Sequence, residues 1–167
     1  MRHFLTFLVM AWVGPAWSAF DVSCIENNCM TQGWEIWDQT TGRQSFVECF
    51  DQDCLTKGWV ESPGFNRSES HCLFDDCFGK GWEVFSVATG DLLYSVRCEK
   101  DPEQNKTDCL TSGWSVLSSR GRMISHTTCL AGDCEKYGWD IELSNGAIQV
   151  VRCKDESCFN SGWTLRP

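Results

Sequence analysis

The sequence has 167 residues, enough for one domain, with 14 Lys or Arg against 23 Asp or Glu and a formal net charge of -9. This acidic balance argues against a nucleic-acid-binding protein, because the phosphate backbone attracts clustered cations and repels carboxylates. Twelve cysteines indicate a cross-linked scaffold, and a hydrophobic fraction of 42% excludes a disordered chain.

The first 18 residues have the pattern of a secretory signal peptide. A short basic start precedes an apolar run over residues 4–13, which is too short to span a bilayer. Ala16 and Ser18 are small residues of the kind that precede a cleavage site, so we expect cleavage after Ser18 or Ala19, an uncleaved anchor being the alternative. No later segment is apolar enough to span a membrane. The predicted mature chain, residues 19–167, is therefore secreted or periplasmic, where disulfides persist.

The mature chain contains six copies of one unit, in which two cysteines are followed, after three residues, by Gly-Trp. The cysteine pairs are Cys24/Cys29, Cys49/Cys54, Cys72/Cys77, Cys98/Cys109, Cys129/Cys134 and Cys153/Cys158. The tryptophans are Trp34, Trp59, Trp82, Trp114, Trp139 and Trp163. The fourth pair encloses ten residues where the others enclose four. Every cysteine of the chain belongs to this pattern, which predicts a single repeat domain.

Each unit predicts a β-hairpin. An alternating stretch follows Gly-Trp, a turn containing Gly42, Gly90, Gly121 or Gly146 comes next, and a second alternating stretch leads to the next cysteine. One predicted face carries the Trp and an aliphatic residue two positions later, and the other carries charges such as Glu35. We expect the apolar face to form the core. The alternative is that the tryptophans of the Gly-Trp pairs are exposed and stack against sugars.

A short helical turn is predicted between hairpins. Asp or Asn precedes the second cysteine in most units and is suited to cap a turn that ends at Gly. The capping residues are Asn28, Asp53, Asp76, Asp108 and Asp133. A ring of carboxylates for Ca²⁺ is the alternative. The residue after the second cysteine is expected to pack beneath the turn, as Met30, Leu55, Phe78, Leu110 and Phe159, whereas Glu135 departs from this pattern.

The two ends of the mature chain each supply half a hairpin. The stretch before Cys24 is a lone return strand, and the stretch from Trp163 is a lone leading strand. Pairing them removes both open edges of the sheet. We therefore predict an all-β protein of six tandem disulfide-braced hairpins, closed into a propeller-like ring or barrel, with an open solenoid as the alternative.

Two regular cysteine pairings are compatible with the repeat. One joins both cysteines of a unit, and the other joins each second cysteine to the first of the next unit, as in Cys29–Cys49. Loop-closure entropy gives about 2 kcal/mol for the short rings and about 3 kcal/mol for the long ones, which does not separate them. We favour pairing within units because it is compact. Metal binding is disfavoured by the spacing and the scarcity of His, so no metal or cofactor is expected.

Three aromatic residues fall on the opposite face from the tryptophans of the repeat, namely Trp37, Phe46 and Phe85. An exposed aromatic patch is a candidate ligand-binding surface, whereas burial against a neighbouring hairpin is the alternative. Asn66 and Asn105 head glycosylation triplets, which matter only if a eukaryote secretes the protein.

Signatures of enzymes are scarce in this chain. There is no nucleophile elbow, phosphate-binding loop or metalloprotease helix, and the predicted mature chain contains only His71 and His126. The sequence therefore favours a secreted or periplasmic, non-catalytic binding or structural module whose ligand is carbohydrate or a partner protein. The alternative is a glycosidase-like hydrolase that uses a carboxylate pair in a central cleft.

Overall fold

A computed structural model of the chain describes residues 19–62, 67–101 and 105–167. The predicted signal peptide and Asn66, the first residue of one glycosylation triplet, lie outside these residues.

Twelve antiparallel strands form one closed barrel, in which strands adjacent in the chain are also adjacent in the sheet. The strands are β1 Phe20–Cys24, β2 Trp34–Asp38, β3 Arg43–Cys49, β4 Trp59–Ser62, β5 Ser68–Cys72, β6 Gly81–Ser86, β7 Leu92–Cys98, β8 Trp114–Ser118, β9 Met123–Cys129, β10 Trp139–Leu143, β11 Ile148–Cys153 and β12 Trp163–Arg166. The barrel confirms the all-β class and the six tandem hairpin units.

The barrel closes between its first and last strands. On β1 and β12, Phe20 pairs with Leu165 and Val22 pairs with Trp163. This pairing satisfies the backbone hydrogen-bonding groups on the open edges of both strands, as in any closed barrel. The open-solenoid alternative is therefore wrong.

The alternation of side chains along each strand divides the barrel into an inside and an outside. In β2, Trp34, Ile36 and Asp38 are buried whereas Glu35 and Trp37 are exposed. The same period of two places the apolar residues of the other hairpins inside. The interior of the barrel is therefore the core of the protein.

Six tryptophans form a continuous ring at one end of this core. Neighbouring ring centroids are between 5.3 and 6.4 Å apart, and the last tryptophan, Trp163, contacts the first, Trp34. Each of the six is at most 7% exposed. The interpretation of the Gly-Trp pairs as core rather than as sugar platforms is confirmed.

A four-residue helix covers the tryptophan end of the barrel in five of the six units. These helices are α1 Cys29–Gln32, α2 Cys77–Lys80, α3 Cys109–Ser112, α4 Cys134–Tyr137 and α5 Cys158–Ser161. The second unit has a hydrogen-bonded turn at residues 54–57 instead. No helix among the described residues is long and apolar enough to cross a membrane.

Four of the residues that follow the second cysteines, Met30, Phe78, Leu110 and Phe159, pack between the helical turns and the tryptophan ring. Met30 is buried, and the rings of Phe78 and Phe159 meet with centroids 5.5 Å apart. Leu55 is 42% exposed, so the prediction that it packs beneath its turn is wrong. The two phenylalanines come from opposite units and occupy the axis between them, which leaves Leu55 outside.

The six disulfides all lie within units: Cys24–Cys29, Cys49–Cys54, Cys72–Cys77, Cys98–Cys109, Cys129–Cys134 and Cys153–Cys158. Each joins the end of a strand to the start of the next helix or turn. Pairing within units is confirmed, and pairing across hairpins is wrong. Six disulfides indicate an oxidising, extracellular environment.

Candidate functional site

Two of the three predicted outer aromatics lie on adjacent strands and are exposed to solvent. Trp37 on β2 is 48% exposed and Phe46 on β3 is 40% exposed. Trp37 is directly opposite Gln44, and Phe46 is directly opposite Glu35. The two aromatics are therefore diagonal neighbours on the outer wall, and the alternative that they are buried by another hairpin is wrong for both.

Polar side chains flank both aromatic rings. Gln44 Nε2 donates a hydrogen bond of 3.2 Å to Glu35 Oε2, which joins the two polar residues of this surface. On the other side of Trp37, the cross-strand neighbour is Asp21 of β1, whose carboxylate contacts Lys154. We call Glu35, Trp37, Gln44 and Phe46 the β2–β3 patch. It combines two apolar surfaces with hydrogen-bonding groups between them.

Phe85 belongs to a different part of the outer wall. It lies on β6, three strands from Phe46, and is half-buried. Its ring packs edge-on against His71, with centroids 5.9 Å apart, and His71 stacks on Phe50 at 5.6 Å. The structure therefore does not bring Phe85 together with Trp37 and Phe46.

The predicted capping carboxylates contact the backbone of the turns that they precede. Asp76 Oδ1 accepts a hydrogen bond of 2.8 Å from the Gly79 N–H, and Asp108 and Asp133 accept equivalent bonds. Asn28 accepts two such bonds. The capping role is confirmed, and among the described residues no three His, Cys, Asp or Glu side chains come together to hold a metal ion.

Asp53 is the most extensively hydrogen-bonded of these caps. Its carboxylate accepts the hydroxyl and the backbone N–H of Thr56 and also the N–H of Leu55. These bonds stabilise the ionised carboxylate and so hold the pKa of Asp53 below its ordinary value. The hydrogen bond from the Thr56 hydroxyl has the largest effect.

Two carboxylates lie on the inner face of the barrel. Asp38, at the end of β2, accepts hydrogen bonds from the backbone of Thr40 and Thr41 and thereby fixes the first hairpin turn. Glu61 on β4 is 1% exposed. Asp38 pairs with Arg43, whereas Glu61 pairs with Val47.

The hydrolase alternative requires two carboxylates at the spacing of a catalytic pair. Arg43 and Val47 are four residues apart on β3, so the backbone positions of Asp38 and Glu61 are offset by about 14 Å along the strand direction, and β2 and β4 are two strands apart. Glycosidase carboxylates are about 5 to 10 Å apart. Asp38 and Glu61 therefore do not form such a pair.

Sequence reasoning missed Glu61. It occupies the position two residues after Trp59, where the other units have an aliphatic residue. Its position in the repeat predicts that it points into the barrel. It was missed because the second unit has a charged residue where the other units are apolar.

Sequence reasoning also missed Phe74, in the loop between Cys72 and Cys77. Its side chain is 89% exposed, and its φ of 54° lies in the left-handed region. The equivalent residues of other units are Glu26, Asp51 and Ala131, which share that backbone conformation. The conformation therefore belongs to the repeat, and among these four residues the large apolar side chain is particular to the third unit.

An apolar cavity of about 20 Å³ lies under the helical cap, lined by five tryptophans of the ring, all except Trp59, together with Met30, Phe78, Leu110, Cys134 and Phe159. It has about the size needed for one water molecule and is lined by apolar atoms. It does not form a ligand site.

Comparison of the chain with protein-family models, with curated proteins and with solved structures gives no match.

Proposed function

We propose that this protein is a secreted or periplasmic, non-catalytic binding module that recognises carbohydrate through the β2–β3 patch. The disulfide-rich barrel fits a small extracellular structural module, and the patch supplies it with a recognition surface. The observation that carries the proposal is the exposure of Trp37 and Phe46 on adjacent strands beside hydrogen-bonded Gln44 and Glu35.

The chemistry of the patch suits a sugar. The faces of aromatic rings pack against the apolar C–H faces of pyranose rings, whereas amide and carboxylate groups exchange hydrogen bonds with hydroxyls. The amide of Gln44 offers both donors and an acceptor, and Glu35 offers acceptors. The disulfide-braced strands hold these groups in place before binding, which lowers the entropic cost of recognition.

A partner protein is the second candidate, since exposed Trp and Phe side chains are also frequent anchors of protein interfaces. The alternation of aromatic and hydrogen-bonding residues over a small area favours the sugar.

A glycan array probed with the purified, oxidised protein tests the proposal. We expect binding to one class of glycan, and at least a tenfold loss of affinity in Trp37→Ala and in Phe46→Ala. Ile148→Ala is the matched control, because Ile148 is 59% exposed on the distant strand β11 and its loss should leave binding unchanged.

Three outcomes contradict the proposal. These are no glycan bound, equal binding by the Trp37→Ala variant, and release of shorter saccharides from a bound glycan. The last result supports the hydrolase alternative.

A further inference from the structure

Three hairpins carry an acidic residue directly after the tryptophan of the unit, on the outer wall of the barrel. These residues are Glu35, Glu83 and Asp140. On two of the three hairpins, the return strand supplies an arginine at the position before its cysteine. Arg97 Nη2 lies 2.9 Å from Glu83 Oε1. Arg152 Nη1 lies 3.0 Å from Asp140 Oδ1. A pair of an acid and an arginine is therefore a repeated feature of the outer wall.

The β2–β3 hairpin departs from this arrangement. Its residue before the cysteine is Glu48, so Glu35 has a second carboxylate as its diagonal neighbour where the other two hairpins have a guanidinium. The positions are equivalent by register, because on all three hairpins the tryptophan is directly opposite the residue two before the cysteine. The β2–β3 hairpin therefore keeps the acid of the pair and replaces its cation by a carboxylate.

Neither of these two glutamates has a cationic partner among the described residues. Glu35 accepts one hydrogen bond, from Gln44, whereas Glu48 is exposed and has no side-chain hydrogen bond in the described part of the chain. Lys154, beyond Trp37, contacts Asp21 instead. Two neighbouring carboxylates repel each other, and a cation between them relieves that repulsion.

An aromatic ring adjoins both glutamates. Phe46 is directly opposite Glu35 on β2 and two residues before Glu48 on β3, so all three side chains are on the outer face. A cation held by the two carboxylates therefore lies beside the ring of Phe46, and the faces of aromatic rings attract cations. Trp37, the diagonal neighbour of Phe46, remains free to pack against a sugar ring.

We infer that the β2–β3 patch selects glycans that carry a free amino group, with Glu48 as a further binding residue. This inference rests on the proposed function and names its substrate class. The ammonium group of the glycan donates hydrogen bonds to Glu35 and Glu48. It takes the place that Arg97 and Arg152 occupy on their own hairpins, while the sugar ring packs on Trp37. The same carboxylates repel uronic acids and sulfated glycans, and neutral glycans lack the cation.

Binding of a glucosamine tetrasaccharide, compared with its fully N-acetylated form, tests the inference. Both have the same pyranose backbone, and only the first is cationic in a buffer that protonates its amino groups. We expect isothermal titration calorimetry to give about tenfold tighter binding for the cationic form, since hydrogen bonds between charged groups are stronger than neutral ones. Added salt should reduce this difference, because it screens exposed charges.

Glu48→Arg gives this hairpin the ion pair that the other two have, so Glu35 is no longer open to the ammonium group. We expect this variant to bind the cationic tetrasaccharide at least tenfold more weakly and the N-acetylated form within twofold of the wild-type affinity. Glu142→Arg is the matched control, because it makes the same charge change at an exposed position on β10, four strands from β2. It should leave both affinities within twofold. Circular dichroism establishes folding, and Glu48→Gln is the second variant if Glu48→Arg does not fold.

Tetralysine carries cations without sugar rings and separates an amino sugar from a basic segment of a partner protein. We expect it to bind at least tenfold more weakly than the glucosamine tetrasaccharide, because it has no pyranose ring to pack on Trp37. Equal binding of the two would overturn the inference in favour of a basic protein partner.

The glycan array separates failure of the inference from failure of the proposed function. If the N-acetylated form binds as tightly as the cationic one, if Glu48→Arg binds like the wild type, or if every glycan retained on the array lacks a free amino group, the inference is overturned and the proposed function stands. Retention of no glycan overturns both. If neither tetrasaccharide binds, retained glycans that carry free amino groups support the inference.

Discussion

Phe78 and Phe159 meet across the barrel axis, with ring centroids 5.5 Å apart, although they belong to the third and sixth hairpin units. Phe78 also packs against Trp82 of the tryptophan ring, at 5.8 Å. This contact joins opposite sides of the molecule at the end that the helices cover.

We expect Phe78→Ala and Phe159→Ala each to lower the free energy of unfolding by about 2 kcal/mol, since both side chains are half-buried. The double variant should show a coupling of about 1 kcal/mol, because the rings interact directly. Urea denaturation of the four proteins gives these values. Additive effects would show that the rings do not stabilise one another.

The tryptophan ring should dominate stability. Trp59 is 1% exposed, and we expect Trp59→Ala to cost about 4 kcal/mol through the cavity that it leaves. Trp37→Ala on the outer wall is the matched control and should cost about 1 kcal/mol, because about half of this side chain is exposed. Thermal denaturation of both variants provides the comparison, and similar losses would mean that Trp37 has a structural role.

Gly33 approaches the next strand too closely for a side chain. A Cβ at this position would lie 1.9 Å from the carbonyl oxygen of Val47, whereas a Cβ at Gly42 would meet nothing within 4 Å. Both glycines have positive φ, so alanine is strained at either position by about 1 kcal/mol. We expect Gly33→Ala to cost at least about 3 kcal/mol and Gly42→Ala about 1 kcal/mol, measured by urea denaturation. Equal costs would mean that backbone strain alone matters.

The disulfides should be recoverable by peptide mapping without reductant as six pairs within units. Replacing Cys72 and Cys77 together by serine should cost about 2 kcal/mol, and replacing Cys98 and Cys109 about 3 kcal/mol, because the second pair closes a longer loop. A peptide that links Cys29 to Cys49 would contradict the structure.

The Asp53 carboxyl should titrate below its ordinary range, and Thr56→Val should raise its pKa, because the variant lacks the donating hydroxyl. A carboxyl with a lowered folded-state pKa stabilises the protein above its unfolded-state pKa. That contribution is lost as the pH falls through the folded-state value. Carbon-13 NMR of the carboxyl group measures both proteins, and an unchanged midpoint in Thr56→Val would exclude the hydroxyl as the cause.

The fold could be predicted from the sequence because every unit repeats the same pattern of cysteines, Gly-Trp and alternating residues. Alternation after each Gly-Trp predicts the hairpins, and the half-hairpins at Cys24 and Trp163 predict closure. The outcome of closure, a barrel rather than a propeller, depends on continuous hydrogen bonding between units, which one unit does not encode.

The pairing of the sulfurs was harder to predict for a geometric reason. In the structure Cys49 Sγ lies 3.5 Å from the carbonyl oxygen of Cys29. Cys29, the partner of Cys49 in the pairing across hairpins, is therefore close to Cys49 although the two are not bonded. Pattern reasoning also overlooked Glu61 and Ser70 inside the barrel, because the second unit has polar residues at positions that are apolar in most other units.

The pairing of β1 with β12 means that the first and last strands of the barrel are neighbours, since Phe20 is directly opposite Leu165. Where the polypeptide starts is then a matter of genetic order rather than of architecture. A circularly permuted gene that opens the chain at the Gly121 turn and joins residue 167 to residue 19 through a short linker preserves every strand pair, so the permuted chain should form the same barrel.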